Sequence, residues 1–317
     1  MFKRNVVIVG DGAVGSTTAY TLMLSNFVKE ISIIDVNKPK TEGDALDMMH
    51  GMPFVQPKIV KAGEYSDIAN AHVVILTAGV GQKDGETRID LLKRNIKVFD
   101  SIIEGMKPYI HDELIVLVVT NPVDILTYYT YKKLGIPSNR VIGSGTVLDT
   151  ARLKSAIAED TKVDARNIHT FVLGEHGDTE VAAFSVTTIG GLPLHRFCQK
   201  CGRCKGQHLS QLNRLHEKVK NAAYEIIAKK GATYYAVALA VNKIVETIIN
   251  DSNSILTVST LIDEEFEGVK SFYFSLPCIV NSKGIERVIN LDYSEKERQQ
   301  LAHSANTLKK IIDELNI

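Results

Sequence analysis

Asn5-Val-Val-Ile-Val9 is a short, apolar, β-branched run, and it leads straight into Gly10-Asp-Gly12-Ala-Val-Gly15. Few local patterns restrict a chain as tightly. A strand that stops at a glycine turn, followed from Ser16 to Phe27 by spaced apolar residues and good helix formers, is the first half of a βαβ unit. Ile31-Ser-Ile-Ile supplies the second strand and Asp35 stands at its end. Gly10 allows the tight turn, and Gly15 lets the helix pack closely on the strand. Gly12 lets the backbone of the turn, with Ala13 and Val14, approach a pyrophosphate, and the helix N-terminus adds partial positive charge there. Asp35 lies twenty residues after Gly15, where a carboxylate accepts bonds from ribose hydroxyls and repels the extra phosphate of NADP. The expected cofactor is therefore NAD. An ordinary tight βαβ turn would have the same glycines, but not the acid at this spacing.

The rest of the chain continues the alternation. Lys40 to Met52 reads as a helix, Lys58 to Ala62 as a third strand, and His72-Val-Val-Ile-Leu-Thr-Ala-Gly79 as a fourth. A loop from Val80 to Glu86 precedes a long helix reaching about Lys107, and the Thr87 to Asp90 capping box places its start beside Arg88. Leu114 to Val119, a helix over Val123 to Leu134 and the strand Arg140 to Gly143 complete the half. Such an order implies a doubly wound, mostly parallel sheet of the Rossmann type. Ligands bind outside the carboxyl ends of such strands, so Gly10, Asp35, Gly79, Val119 and Asn121 are expected along one edge.

From Thr146 the character changes. A helix from Val147 to about Glu159 precedes a strand over Asn167 to Leu173, the loop Gly174-Glu-His-Gly-Asp178 and a strand over Val181 to Ile189. A long helical region from about Gly206 to Asn250, strands near Ser254 to Leu261 and Lys270 to Val280, and an amphipathic helix from Ser294 to Leu315 follow. These later strands are too closely spaced for crossovers, so antiparallel pairing is expected. The reading is α/β throughout: residues 1–145 as the dinucleotide-binding domain and 146–317 as an α/β catalytic domain.

Composition narrows the partners. Lysine plus arginine and aspartate plus glutamate number 37 each, so no global field recruits nucleic acid or an anionic membrane. No apolar run reaches the length of a membrane span, and the N-terminus lacks a signal-peptide core, which points to the cytoplasm. Cys198, Cys201 and Cys204 crowd one short stretch between His195 and His208. They do not resemble a secreted disulfide framework, and a zinc site usually pairs well-separated ligand couples, so a solvated basic connector is expected and no metal.

Asp149 and Arg152 are three residues apart at the start of a predicted helix and share a face. A helix-surface ion pair is the bland reading, but the preceding Gly143-Ser-Gly145 points them at the cleft. His176, in a polar loop, is either solvated or the proton donor for a carbonyl-to-alcohol interconversion. Sequence alone does not bring Asp149 to His176.

Gly10-Asp-Gly-Ala-Val-Gly15, Gly81-Gln-Lys-Asp-Gly-Glu-Thr-Arg88, Thr120-Asn-Pro-Val-Asp124, Gly143-Ser-Gly-Thr-Val-Leu-Asp-Thr-Ala-Arg152, Gly174-Glu-His-Gly-Asp178 and Lys230-Gly-Ala-Thr233 together resemble the L-lactate/malate dehydrogenase family, most of all its bacterial L-lactate dehydrogenases. The resemblance runs from the first strand to the last helix. It implies that His176 exchanges a proton with pyruvate's keto oxygen and that Asp149 orients the imidazole and stabilises its charged form. It also implies that Arg152 clamps the substrate carboxylate with its planar fork, and that Arg88, on a closing loop, polarises the carbonyl. Asn121 would bond near the substrate oxygen, or simply end a strand before Pro122, and Thr233 would shape the pocket. Many bacterial members are activated by fructose 1,6-bisphosphate bound between subunits. Lys154, where arginine is common, and His169 stand at those positions here, and a homo-tetramer is implied.

Gln82 separates two substrates. Members acting on oxaloacetate or malate carry arginine at this position, because a second carboxylate in a closed site needs a second charged clamp. Gln82 is neutral, so a monocarboxylate is expected, with the neighbouring Lys83 facing solvent. An NAD-dependent glycosidase would leave Arg88, Arg152 and His176 unexplained, and a non-enzymatic NAD-binding regulator would be expected to lack one of them. Gln82→Arg is expected to shift relative kcat/KM from pyruvate toward oxaloacetate. Equal ratios in the two proteins would contradict the assignment.

Overall fold

The computed structural model describes residues 4–81, 85, 88–201 and 208–315, the side chains of 88 and 208–211 excepted. Its first half runs β1 (Asn5–Val9), α1 (Ala13–Leu24), β2 (Glu30–Ile34), α2 (Lys38–His50), β3 (Ile59–Ala62), β4 (Val73–Leu76), α3 (Arg88–Met106), β5 (Ile115–Val118), α4 (Val123–Leu134) and β6 (Val141–Gly143). These strands lie parallel in the order β3-β2-β1-β4-β5-β6. The order reverses beside β1, which opens a crevice at the carboxyl edge where Gly10 begins its turn.

Period-two alternation gives the sheet two apolar faces. Val6, Ile8, Ile33, Ile75 and Leu117 face one way and meet Ala19 and Leu22 of α1. Val7, Val9, Val74, Leu76 and Val118 face the other and meet Phe99 and Ile103 of α3 and Leu126 of α4.

The second half comprises α5 (Val147–Thr161), β7 (Ile168–His169), β8 (Val172–Leu173), β9 (Val181–Ala182), β10 (Thr188–Ile189), β11 (Leu192–Pro193), α6 (Leu194–Lys200), α7 (His208–Lys230), α8 (Tyr235–Ile249), β12 (Ser254–Ile262), β13 (Phe272–Asn281), β14 (Gly284–Val288) and α9 (Glu295–Leu315). Its strands pair antiparallel, as their spacing implied. Three of them do not stand apart. β12 joins β6 through Ser259 and Gly143, so β12, β13 and β14 extend the first sheet to nine strands. A Cβ at Gly143 would lie 2.6 Å from the Ser259 Cβ, which is why the junction needs glycine. Val241, Ile244 and Ile248 of α8 also pack into the core beneath α1.

Four local readings are corrected. The strand expected over Asn167 to Leu173 is two short ones, because Thr170 bonds sideways to Thr187 and the Val172 N–H is taken by the Thr150 hydroxyl. The strand expected over Val181 to Ile189 is interrupted by a helical turn at Phe184–Val186, where the Thr187 hydroxyl bonds back to Ala183. The helical region expected through Asn250 breaks after Lys230, where Gly231 adopts φ +85° and the Lys230 ammonium lies over the rings of Tyr234 and Tyr235. β14 and α6 are additional: β14 is an edge strand with exposed Glu286 and Arg287, and α6 has only seven residues.

Phe99 is fully buried between α3 and the sheet. Phe99→Ala is expected to cost about 3–5 kcal/mol in urea unfolding; a loss under about 1 kcal/mol would contradict this packing.

Candidate active site

The parallel strands deliver the expected residues to one edge. Gly10 follows β1, Asp35 follows β2, Gly79 lies beyond β4, Val119 and Asn121 lie beyond β5, and β6 leads into α5 with Asp149 and Arg152.

At the β1 end the glycines differ in what they make room for. A Cβ at Gly15 would fall 1.8 Å from the Gly10 carbonyl oxygen, so this residue is glycine for the helix to pack. A Cβ at Gly12 would meet nothing within 4 Å, and Gly12 is the residue that caps α1. The space there suits a group from outside the chain, and the first-turn N–H groups of α1 favour an anion in it. Asp35 is part-buried and held rigidly: its carboxylate accepts the Asp11 N–H at 2.7 Å and the Asn37 N–H at 2.9 Å. Asp11 itself is buried, and Lys40 of α2 lies 3.1 Å from it. Burial raises the Asp11 pKa above the usual carboxylate value, with Lys40 opposing. These residues fit a pyrophosphate at the α1 N-terminus and a ribose beside Asp35. The Asp11–Lys40 pair was not anticipated; an acid inside a glycine turn is its only trace in the sequence.

At the β6 end, two loops and a helix converge. Asp149, in the first turn of α5, has a side chain only 3% exposed. Its Oδ2 lies 2.6 Å from Nδ1 of His176, and its Oδ1 accepts from a terminal nitrogen of Arg152 at 2.9 Å. Asp149 and Arg152 form an ion pair, but not on the helix surface: their side chains are 3% and 15% exposed, and the pair lies against His176. Burial alone would raise the Asp149 pKa, but the histidine and arginine outweigh it and the carboxylate is held below its ordinary value. Burial likewise disfavours a charged His176, yet Asp149, by charge and hydrogen bond, with Asp124 and Glu180 adding, raises its pKa from 6.5 to about 9. With the folded value above the unfolded one, this pairing stabilises the fold fully below pH 6.5. That contribution is lost as pH rises through about 9.

The His176 loop is anchored by a residue that sequence reading left without a role. Asp124, buried in the first turn of α4, accepts the His176 backbone N–H at 2.8 Å and the Ser259 hydroxyl at 2.5 Å. Burial raises its pKa to about 6, against both of those bonds. Its signal was an acid opening a helix whose next residues are apolar. Glu180, buried before β9, also lies close to the histidine, and His216 of α7 stands 3.6 Å from Glu180.

Other expected residues are more dispersed. Asn121 is exposed in the turn between β5 and α4, and Thr233 sits in the break between α7 and α8. Among the described residues no hydrogen bond joins either to His176. Lys154 is half-buried on α5 and lines a cavity of about 420 Å³ with Thr170 and Leu239, while His169 on β7 is exposed. Burial lowers the Lys154 pKa. Cys198 packs into the core between α5 and α7, and the Cys201 thiol donates to the Cys198 carbonyl. Gln82, Lys83, Cys204 and the Arg88 side chain lie outside the described residues.

Family models account for nearly the whole chain. Residues 4–143 match the NAD binding domain of lactate/malate dehydrogenase, and residues 146–316 match its alpha/beta C-terminal domain. The chain belongs to the lactate/malate dehydrogenase family. As a member it is an NAD-dependent dehydrogenase, and the space at Gly12 and the carboxylate of Asp35 agree with that cofactor. It is 55% identical to an L-lactate dehydrogenase of Acetivibrio thermocellus over 314 residues, covering 99% of this chain and 98% of that one. It is 48% identical to an L-lactate dehydrogenase of Clostridium acetobutylicum over 316 residues, covering 99% of both. In structure it resembles a lactate dehydrogenase from a Medee basin deep-sea metagenome library, with a TM-score of 0.96, 39% identity and full coverage of both chains. A minor L-lactate dehydrogenase of Enterococcus mundtii, in its ligand-bound form, has a TM-score of 0.93 and 41% identity over 98% of both chains. Among the described residues no helix is long and apolar enough to cross a membrane.

The Gly12 geometry makes a clean prediction. Gly12→Val is expected to leave the thermal midpoint within a few degrees while weakening NADH binding at least about tenfold in a fluorescence titration. Unchanged affinity would mean that nothing approaches the turn there.

Proposed function

We propose that this family member interconverts pyruvate and L-lactate, with His176 as the proton donor and acceptor. The observation that carries the reading is the buried Asp149 carboxylate, shared between His176 Nδ1 and Arg152. Asp149 holds the imidazole in one tautomer and stabilises its cation, which leaves Nε2 to serve the substrate oxygen. Bound NADH supplies the hydride that the keto carbon receives. Arg152, fixed on one side by Asp149, holds the substrate carboxylate and so turns the carbonyl toward His176. Arg88 polarises that carbonyl, Asn121 bonds near its oxygen, and Thr233 shapes the pocket wall. Gln82 leaves a single carboxylate balanced by charge. In the reverse direction neutral His176 takes the hydroxyl proton of lactate, and oxidised NAD, when bound, would accept the hydride.

Residues 1–145 then serve the dinucleotide, through Gly10, Gly12, Ala13, Val14, Gly15, Asp35, Gly79, Val119 and Asn121, and residues 146–317 carry the acid–base chemistry. The family resemblance implies a homo-tetrameric, cytoplasmic enzyme at the fermentative end of glycolysis. Lys154 and His169 would receive fructose 1,6-bisphosphate between subunits. A lysine supplies charge without the arginine fork, so activation is expected to be present but weak.

Steady-state NADH oxidation tests the reading. Pyruvate is expected to be strongly preferred over oxaloacetate, and fructose 1,6-bisphosphate to lower the apparent KM for pyruvate. Preference for oxaloacetate would overturn the substrate, and no response to the bisphosphate would remove the effector site. The pH profile has a defined sign. Pyruvate reduction uses the imidazolium, so kcat/KM holds below about 9 and falls above it. Lactate oxidation uses the neutral ring and rises with pH toward a plateau. Limbs of the opposite sense would exclude His176 as the proton carrier.

A further inference from the structure

Behind the Asp149–His176 couple lies a second acid–imidazole pair. Glu180, just before β9, has a side chain only 3% exposed, and its nearest oxygen lies within 4.8 Å of heteroatoms of both Asp149 and His176. On its other side, Glu180 Oε1 stands 3.6 Å from Nε2 of His216 on α7. That is inside ion-pair range and beyond a hydrogen bond. Both atoms are buried, and among the described residues neither has a hydrogen-bond partner. A buried carboxylate in such a place either takes up a proton or is held charged by a nearby cation.

His216 is the basic side chain that stands on that side. It lines a cavity of about 360 Å³ with Phe184, His195, Asn213 and Lys296, and its side chain is 15% exposed, so its ring is not sealed from solvent. The other ionisable groups around the two pairs are Arg152 on α5, Asp124 on α4 and Glu175 in the histidine loop. Lys296 and Glu297 of α9 share the cavity with His216, and Glu297 is occupied by Ser185 and Ser294. No other basic side chain among the described residues stands in ion-pair range of Glu180.

We propose that Glu180 and His216 are positioning residues for the proton step: His216 holds Glu180 beside the Asp149–His176 bond, and the buried carboxylate favours the imidazolium form of His176. The inference rests on His176 being the proton carrier. Glu180 touches no reacting atom in this scheme and acts through the charge it places beside the Asp149–His176 bond. Burial, with the nearby Asp149 adding, raises the Glu180 pKa above its ordinary value, and His216 opposes them.

The test is the pH profile of kcat/KM for pyruvate reduction by the whole enzyme, for the wild type, Glu180→Gln, His216→Leu and the double variant, with His176→Asn as reference. Glu180→Gln keeps the shape and removes the charge, so the alkaline limb is expected to move down by half a pH unit or more, with the low-pH plateau changed less. His216→Leu is expected to move the limb the same way, because Glu180 loses the side chain that holds it beside His176, and the double variant is expected to add no further shift. A limb that stays in place in Glu180→Gln overturns the proposal. If that variant does not fold, His216→Leu decides, and an unmoved limb there overturns it equally. Additive shifts would also overturn it, since independent effects would mean that His216 does not act through Glu180. If His176→Asn retains the wild-type limb, the proton-carrier reading fails instead, and this outcome is distinguishable from the others.

Discussion

One buried carboxylate organises the active site. Asp149 cannot be left alone in a place where its side chain is 3% exposed; an unpaired charge there would cost several kcal/mol. It is satisfied twice over, by Arg152 from its own helix and by His176 from a loop in a separate part of the chain. Both partners are thereby immobilised. The arginine proposed to hold the substrate and the histidine proposed to exchange a proton are registered against the two oxygens of one carboxylate, so their separation is set by one rigid group rather than by two flexible side chains.

The fold brings this group to the nucleotide crevice by simple means. Parallel strands end together, so the turns after β1, β2, β4, β5 and β6 line one edge. Continuing that sheet with β12, β13 and β14 brings Ser259 of β12 within bonding distance of Asp124 on α4, and Asp124 in turn holds the backbone of His176. The second half of the chain therefore locates the histidine by hydrogen bonds to the first half. This shared sheet leaves little freedom between the dinucleotide edge and the acid–base couple.

What could be read from the sequence follows from the range of the interactions concerned. The glycine turn, the acid after β2 and the order of the first six strands are local, and their patterns lie within a few dozen residues. α4 was legible to the residue, because Pro122 precedes it and Gly135 follows it in the left-handed region. Asp149 and Arg152 were legible as a pair on one helix face, but their meeting with His176 spans 27 residues and was supplied only by family resemblance. Where side-chain hydroxyls take the place of ladder bonds, as at Thr150, Thr170 and Thr187, apolar periodicity misread two strands as longer than they are. Asp124, Glu180 and His216 escaped notice for a related reason. Each is an ordinary polar residue in its own segment, and only tertiary packing shows that Asp124 and Glu180 are buried near the histidine and that His216 stands beside Glu180.

The central claim is that Asp149 sets the charge of His176, and Asp149→Asn addresses it most directly. An amide preserves the shape and one hydrogen-bonding oxygen but removes the charge. Pyruvate reduction is expected to fall by about a hundredfold or more, with NADH affinity intact. The alkaline limb should retreat from about 9 toward the ordinary histidine value of 6.5. A variant that keeps its limb near 9 would contradict the claim, because the cation would then owe its stability to something other than this carboxylate.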